Sequence, residues 1–231
     1  NEDWDKISTD HFILFRPKDV VSGDFYWAHH NESKNISIWV TADCTGHGVP
    51  GAFMSMLGVS FLNEIVTERG ETQPDIILNE LREKIIKALE QKGIKSTQKD
   101  GMDIALCAWH KSTNKLQFAG AYNPLCIATR NRSKLENLAN TRLITEGDQH
   151  LAVISATKQP IGLHMKEHKP FECVEVQLET GDTLYTFSDG YADQFGGKRN
   201  KKFKTHRFAE LLKSIHHLPL ATQQLILSDE F

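Results

Sequence analysis

ADCTGHGVPGAF, residues 42–53, lies between two apolar runs, NISIWVT (35–41) and FMSMLGVSFLNEIV (53–66). The first run is β-branched and reads as a strand. The second spreads its apolar groups at helical spacing over residues 48–68: Val49, Phe53, Met56, Leu57, Phe61, Leu62 and Ile65. An aspartate and three close glycines, Gly46, Gly48 and Gly51, thus sit where a strand turns into a helix. Glycine lets the backbone turn sharply and approach a bound group. The free N–H groups and positive dipole end of the helix then face whatever Asp43 holds, an anion or a water-bound metal. A plain strand-to-helix loop is the simpler reading of the same residues. GHGVPG also spells a nucleotide-type GxGxxG. That fingerprint needs an alternating parallel fold and an acidic partner further on.

Outward from this turn, HFILFRP (11–17) and GDFYWAHH (23–30) read as strands before it. PDIILNELREKIIKALEQ (74–91) is the clearest helix. Pro74 fits its first turn, Ile77, Leu78, Leu81, Ile85, Ile86 and Leu89 form its apolar stripe, and Gly93 ends it. Strands then return at 103–110, 115–121, 124–130, 171–178 and 182–189, with a hairpin turn at 112–114. Two helices close the chain, at 207–217 and 221–231, and the polar segment 131–160 reads as an irregular, flexible loop region. Strands, two helices, many strands and helices again predict an α+β fold with mostly antiparallel pairing, not a doubly wound parallel sheet. The 231 residues, 39% hydrophobic and 25% charged, suit one globular domain.

Composition narrows the function. A formal net charge of −3 gives no broad basic field, which argues against nucleic acid as a partner. The cationic cluster Lys198, Arg199, Lys201, Lys202 and Lys204 reads as a solvated loop. Four cysteines without a CxxC pair (Cys44, Cys107, Cys126, Cys173) point to a reducing, cytoplasmic setting rather than a disulfide scaffold. No run of about 18 or more apolar residues stands out, so no membrane insertion is expected. The cytoplasmic part of a membrane-anchored sensor remains compatible with that.

The chemistry gathers at strand ends. Asp24 in SGDFYW, Asp43 in TADCTGHG, Asp103 in DGMDIAL and Asp189 in FSDGYAD each stand beside glycine where an apolar run breaks off. One such aspartate is an ordinary turn residue, and Asp182 in TGDTL reads as one. Four are too many for that explanation, because an antiparallel sandwich can bring strand ends to one rim. Crowded carboxylates repel. A hard divalent cation such as Mg²⁺ or Mn²⁺ relieves the repulsion. Without an HExxH or CxxC pair, zinc fits worse.

VSGDFYW, ADCTGHGVPGAFMSMLG, GMDIALCAWH, LQFAGAYNPL, QPIGL and LYTFSDGYADQFGG, taken in this order, resemble the stage II sporulation protein E-like branch of the PPM-type metal-dependent serine/threonine protein phosphatases. The likeness runs from about residue 11 to 215. It implies an antiparallel β-sandwich flanked by helices, in α-β-β-α layers. It also implies two Mg²⁺ or Mn²⁺ ions at one edge and hydrolysis of phosphoserine or phosphothreonine on a regulatory protein, a STAS-type anti-anti-sigma factor in many relatives. Residues 1–231 would then be one such domain, the C-terminal output part of a longer signalling protein. Carried over residue by residue, Asp43 bridges both metals and the backbone carbonyl of Cys44 is a ligand. Asp24 serves the second metal directly or through water, Asp189 serves the first, and Asp193 assists. A water between two cations then attacks phosphorus in line. Non-catalytic partner binding on the same fold is the alternative reading, and a small-phosphoester or nucleotide hydrolase is a third.

The sequence departs from the family pattern in places. Larger relatives carry a histidine two positions after the bridging aspartate, where this chain has Thr45; His47 is a near neighbour. Ala121 stands where some relatives have a third-metal aspartate, and Asp103 suggests a supporting role. No spaced match to the phosphate-gripping arginine exists, which leaves Arg16 and Lys18 as candidates. The family closes with a strand beginning DD whose aspartate completes the first metal site, and LSDEF (227–231) does not match it. The expectation is a piece with weak metal affinity and low turnover, helped by a C-terminal extension. Its open sheet edge would recruit another chain, a homodimer among the outcomes.

Overall fold

The computed structural model describes residues 2–8, 10–17, 19–91, 100–136, 138–164, 168–196 and 201–230. A short helix α1 (Glu2–Ile7) precedes strands β1 (Phe25–Asn31) and β2 (Ile36–Cys44). Helix α2 (Gly48–Leu62) runs on through a π turn (Asn63–Glu68), and α3 (Pro74–Ala88) follows. Next come β3 (Gly101–His110), β4 (Lys115–Ala121), β5 (Leu125–Thr129), β6 (Thr141–Glu146), β7 (Gln149–Ile154), β8 (Ile161–Gly162), β9 (Val174–Gln177) and β10 (Thr183–Thr186). A small ribbon of β11 (Phe195–Gly196) and β12 (Lys201–Lys202) leads to α4 (Thr205–Ile215) and α5 (Leu220–Asp229).

The strands form two sheets, ordered β1-β2-β3-β4-β9, with β8 beside β3, and β10-β5-β7-β6. All ladder pairs are antiparallel. Period-two alternation builds the layers. Ile36, Ile38, Val40 and Ala42 of β2 face α2 and α3, where Met54, Leu62, Leu78 and Ile85 meet them. Trp39 faces the other way, into the space between the sheets, with Cys107, Phe118, Leu125, Ile127 and Ile154. Cys126 and Ala128 of β5 turn outward again, onto Phe208 and Leu212 of α4 and Leu227 of α5. The order is helices, sheet, sheet, helices, as the resemblance implied.

Three readings need correction. Residues 11–17 are not a strand. Phe12 and Leu14 lean on the core under α4, but Phe12 to Phe15 make no backbone hydrogen bond among the described residues. An apolar run becomes a strand only where a partner edge takes its N–H and C=O groups. The polar segment 131–160 holds a 3-10 turn (Arg132–Leu135) and the β6–β7 hairpin, with Glu146 opposite Gln149. Its signal was legible: Gly147-Asp148 is a two-residue hairpin turn, with Gly147 at φ 59°. Finally, the continuous helix Gly48–Glu68 is long and apolar enough to cross a membrane by length and composition. One face of it is built into the core, through Met54, Leu62, Ile65 and Val66. Gly93, Lys18, Lys198 and Arg199 lie outside the described residues. All four cysteines are free thiols.

Candidate metal centre

Strand register assembles the site. β2 and β3 pair Asp43 directly with Asp103, and β1 pairs Phe25 with Ala42, which sets Asp24 beside the end of β2. Directly opposed residues point to the same face, with Cβ atoms about 5 Å apart. Asp43 shares the parity of Trp39 and Thr41, so it faces the gap between the sheets. Across that gap Thr41 Oγ1 meets Thr186 Oγ1 of β10 at 2.8 Å. Three residues further on, Asp189 enters from the second sheet. The Asp43 carboxyl sits close enough to those of Asp189 and Asp24 for both to raise its pKa. Residues 43 and 189 are thus adjacent in space although far apart in the chain.

The electrostatics match this crowding. Asp43 is pushed up from 3.8 to about 8, first by burial, then by the charges of Asp24 and Asp189 and the hydrogen bonds shared with them. Asp103 is pushed up to about 6, by burial and then by Asp189. Two carboxylates in such contact must share either a proton or a cation. Asp24, Asp43 and Asp103 are half-buried and Asp189 is exposed, so the cluster opens to solvent on one side. Among the described residues no three His, Cys, Asp or Glu side chains converge as a finished metal cage. Mg²⁺ and Mn²⁺ suit such a partial oxygen set, because they keep several waters.

The glycines hold the turn that carries Asp43 and Cys44. A Cβ on Gly51 would lie 2.6 Å from the Gly46 carbonyl oxygen and 3.0 Å from the Gly23 Cα. A Cβ on Gly23 would lie 2.8 Å from the same oxygen and 3.0 Å from the Cys44 oxygen. The glycines of SGD and GHGVPG therefore lock together, backbone against backbone. Ser55 of α2 clamps the contact, with its hydroxyl 2.7 Å from the Gly23 carbonyl oxygen and 3.0 Å from those of Ser22 and Gly51. The Cys44 thiol is buried and pushed up to about 12, which leaves the residue its carbonyl, not a thiolate, as a ligand.

Other proposed residues lie apart. The Asp193 N–H donates to the Asp189 carbonyl at 2.9 Å, but its carboxylate pairs with Lys202 at 2.7 Å. His47 is exposed at the start of α2, 3.7 Å from Asp19. Arg16 donates to Ser228 of α5. Asp182 is a turn residue, accepting the Glu179 N–H at 2.8 Å and pairing with Lys134. Sequence reasoning missed Ser188, whose hydroxyl donates to Asp24 Oδ2 at 3.0 Å, and Asn123, whose amide donates to the Asp103 carbonyl at 3.1 Å. Both sit inside quoted motifs, FSDG and AYNP, but their bonds cross between elements. A cavity of about 880 Å³ starts at Asp24 and Gly190 and runs past Phe12, Leu14 and Tyr185 to Leu227.

Residues 35–227 match the family described as Stage II sporulation protein E (SpoIIE). Among solved structures the chain is similar to the SiaA-PP2C domain of Pseudomonas aeruginosa: 28% identity, TM-score 0.75, 94% of this chain and 76% of that one. It is also similar to the PP2C phosphatase domain and regulatory-domain fragment of the cell fate determinant SpoIIE from Bacillus subtilis, at 18% identity and TM-score 0.61. That match covers 92% of this chain and 54% of the other, so the chain spans about half its length. RsbX in complex with magnesium is similar at 11% identity and TM-score 0.60, over 95% of this chain and 85% of that one. The last two likenesses concern the fold alone. Among curated proteins no sequence matches the chain. With the family matched over most of its length and its aspartates gathered at one sandwich edge, the chain belongs to the stage II sporulation protein E family and folds as a PP2C-like serine/threonine phosphatase domain.

Proposed function

We propose that the domain hydrolyses phosphoserine or phosphothreonine on a regulatory protein of the STAS type, using two Mg²⁺ or Mn²⁺ ions. The observation that carries this is the contact of Asp43 with Asp24 and Asp189, three carboxylates from two sheets that repel one another unless a cation lies among them. In this reading Asp43, Asp24, Asp189 and the backbone carbonyl of Cys44 would hold the ions. Bound ions of this kind supply a deprotonated water as nucleophile and neutralise phosphate charge. The chain's own residues position the rest. Ser188 holds one oxygen of Asp24, which turns the other oxygen free. The Gly23–Gly46–Gly51 contact fixes the Cys44 carbonyl, and the β2–β3 register keeps the Asp103 carboxyl beside the cluster, where it would orient a water or hold a proton.

The reading is tested with p-nitrophenyl phosphate, a phosphoserine peptide, a serine-phosphorylated STAS-fold protein and free nucleotides, each with Mn²⁺, with Mg²⁺ and with chelator. Metal-dependent release of phosphate from the serine-phosphorylated protein, ahead of nucleotides, is the result expected. Faster turnover of nucleotides would replace the substrate class. Binding of the phosphoprotein without turnover under any metal would make the domain a binding module.

A further inference from the structure

Helix α2 is apolar on both sides. Met54, Gly58 and Leu62 face the core, while Val49, Phe53 and Met56 project outward with 75%, 62% and 71% of their surface exposed. Spacings of four and three residues align these three on one face. No residue from Gly48 to Leu62 is charged. A surface helix normally carries polar groups on its outer face. Asp19, 3.7 Å from His47, and Ser22, held by Ser55, bring residues 19–23 beside the start of the same helix, and Val20 among them is fully exposed.

We propose that the Val49–Phe53–Met56 stripe is the docking surface for the folded phosphoprotein on which the metal centre acts, an inference that rests on the function proposed above. Position is the first argument. α2 begins five residues after Asp43, and Gly51 and Ser55 fasten it to the loop that carries the site. At a rise of about 1.5 Å per residue, the stripe spans roughly 10 Å of helix leading away from the carboxylates.

Area is the second argument. The three side chains present roughly 400 Å², within the size of a typical functional surface patch. A lasting dimer needs about 800 Å² from each partner. The stripe suits instead a transient contact whose remaining attraction comes from the phosphate entering the metal centre. Charge is the third. A helix that lies on a lipid surface carries Lys and Arg on its polar face, and α2 has none. The partner that fits is a folded protein with a small uncharged apolar surface beside its phosphoserine. The phosphate and the apolar contact together set its register, which a short peptide cannot reproduce.

The test compares wild type with Phe53→Ala/Met56→Ala, a pair that keeps helix propensity, and with Phe53→Glu, which places a charge on the stripe. Each is assayed with Mn²⁺ on p-nitrophenyl phosphate, on a phosphoserine peptide and on the serine-phosphorylated STAS-fold protein. Thermal unfolding confirms that each variant is folded. The expected result is a KM for the phosphoprotein raised about tenfold or more, the loss typical of removing an anchor residue, with both small substrates within twofold of wild type. An unchanged phosphoprotein KM for both folded variants, beside an active wild type, would overturn the proposal. So would an equal loss on all three substrates, which would give the stripe a structural role. Light scattering that shows a wild-type dimer dissolved by Phe53→Glu would assign the stripe to a second copy. Binding to phosphatidylglycerol vesicles that Phe53→Glu abolishes would assign it to a membrane. If wild type hydrolyses none of the three substrates, the phosphatase reading itself falls, an outcome distinct from an active enzyme indifferent to the stripe.

Discussion

Asp43 and Asp103 hold protons in the metal-free folded domain at pH values where the unfolded chain has already released them. Stability linked to a raised carboxyl is therefore complete below about pH 4, and it is lost as pH rises through about 6 for Asp103 and about 8 for Asp43. Asp43→Asn removes the largest part of this penalty. The metal-free variant is expected to match wild type near pH 4 and to exceed it by about 1–3 kcal/mol at pH 8, with screening by solvent taken into account. It should also lose metal-dependent hydrolysis. Urea unfolding in chelator across this pH range checks it, and a variant less stable at every pH would mark Asp43 as structural. At the same scale, Gly51→Ala drives a methyl group to 2.6 Å from the Gly46 oxygen. Overpacking of this kind costs about 1–3 kcal/mol. Because the strain falls on the loop carrying Cys44, turnover should drop more than stability, as steady-state kinetics beside thermal unfolding would show.

At the level of elements, the second sheet depends on how α4 and α5 are tied to it. Gln223 of α5 is 1% exposed. Its oxygen accepts the Tyr185 hydroxyl at 2.7 Å, and its amide nitrogen donates to the carbonyls of Leu218 at 2.8 Å and His216 at 3.2 Å. One side chain thus joins β10, the end of α4 and the start of α5. Gln223→Leu keeps the volume but leaves a buried hydroxyl and two carbonyls unpaired, at about 1–3 kcal/mol for each group left unsatisfied. A loss of roughly 2–4 kcal/mol is expected, part of the penalty being relieved by relaxation. Chemical denaturation measures it, and a loss below 1 kcal/mol would show that water replaces the amide. Tyr185→Phe/Gln223→Leu should recover part of the loss, since the hydroxyl then needs no partner.

For the whole molecule, the two sheets are each held by their own helices but meet at the site through Thr41, Thr186 and the shared aspartates. Metal binding should therefore stabilise the entire domain. A ligand at 100 times its Kd adds about 2.7 kcal/mol, which for a domain of this size raises Tm by roughly 5–10 °C. Mn²⁺ should produce this shift at pH 8 and much less at pH 5, where protons compete for the same carboxylates. Chelator should reverse it and Asp43→Asn should abolish it. A shift that persists in Asp43→Asn would place the ion elsewhere.

Local pattern by itself determined the α+β class with antiparallel pairing and singled out the aspartates at strand ends. Apolar runs in residues 35–43 and 103–110 marked the central strands, helical spacing in 74–91 marked α3, and aspartates beside glycine marked where strands stop. These signals are local because side-chain periodicity and glycine turns are properties of neighbouring residues. The likeness of the motifs to a known family then assigned Asp24, Asp43 and Asp189 a shared purpose. Other features were decided only by the tertiary structure. HFILFRP has the pattern of a strand yet finds no partner edge among the described residues, whereas the dull segment 141–154 found one in β5. Asp193 looks like its neighbour Asp189, but the turn sends its carboxylate to Lys202. Ser188 and Asn123 gained their roles from atoms in distant parts of the chain. Whether a backbone group is paired, or which charge a carboxylate meets, depends on what folding places opposite it, and a window of adjacent residues does not contain that information.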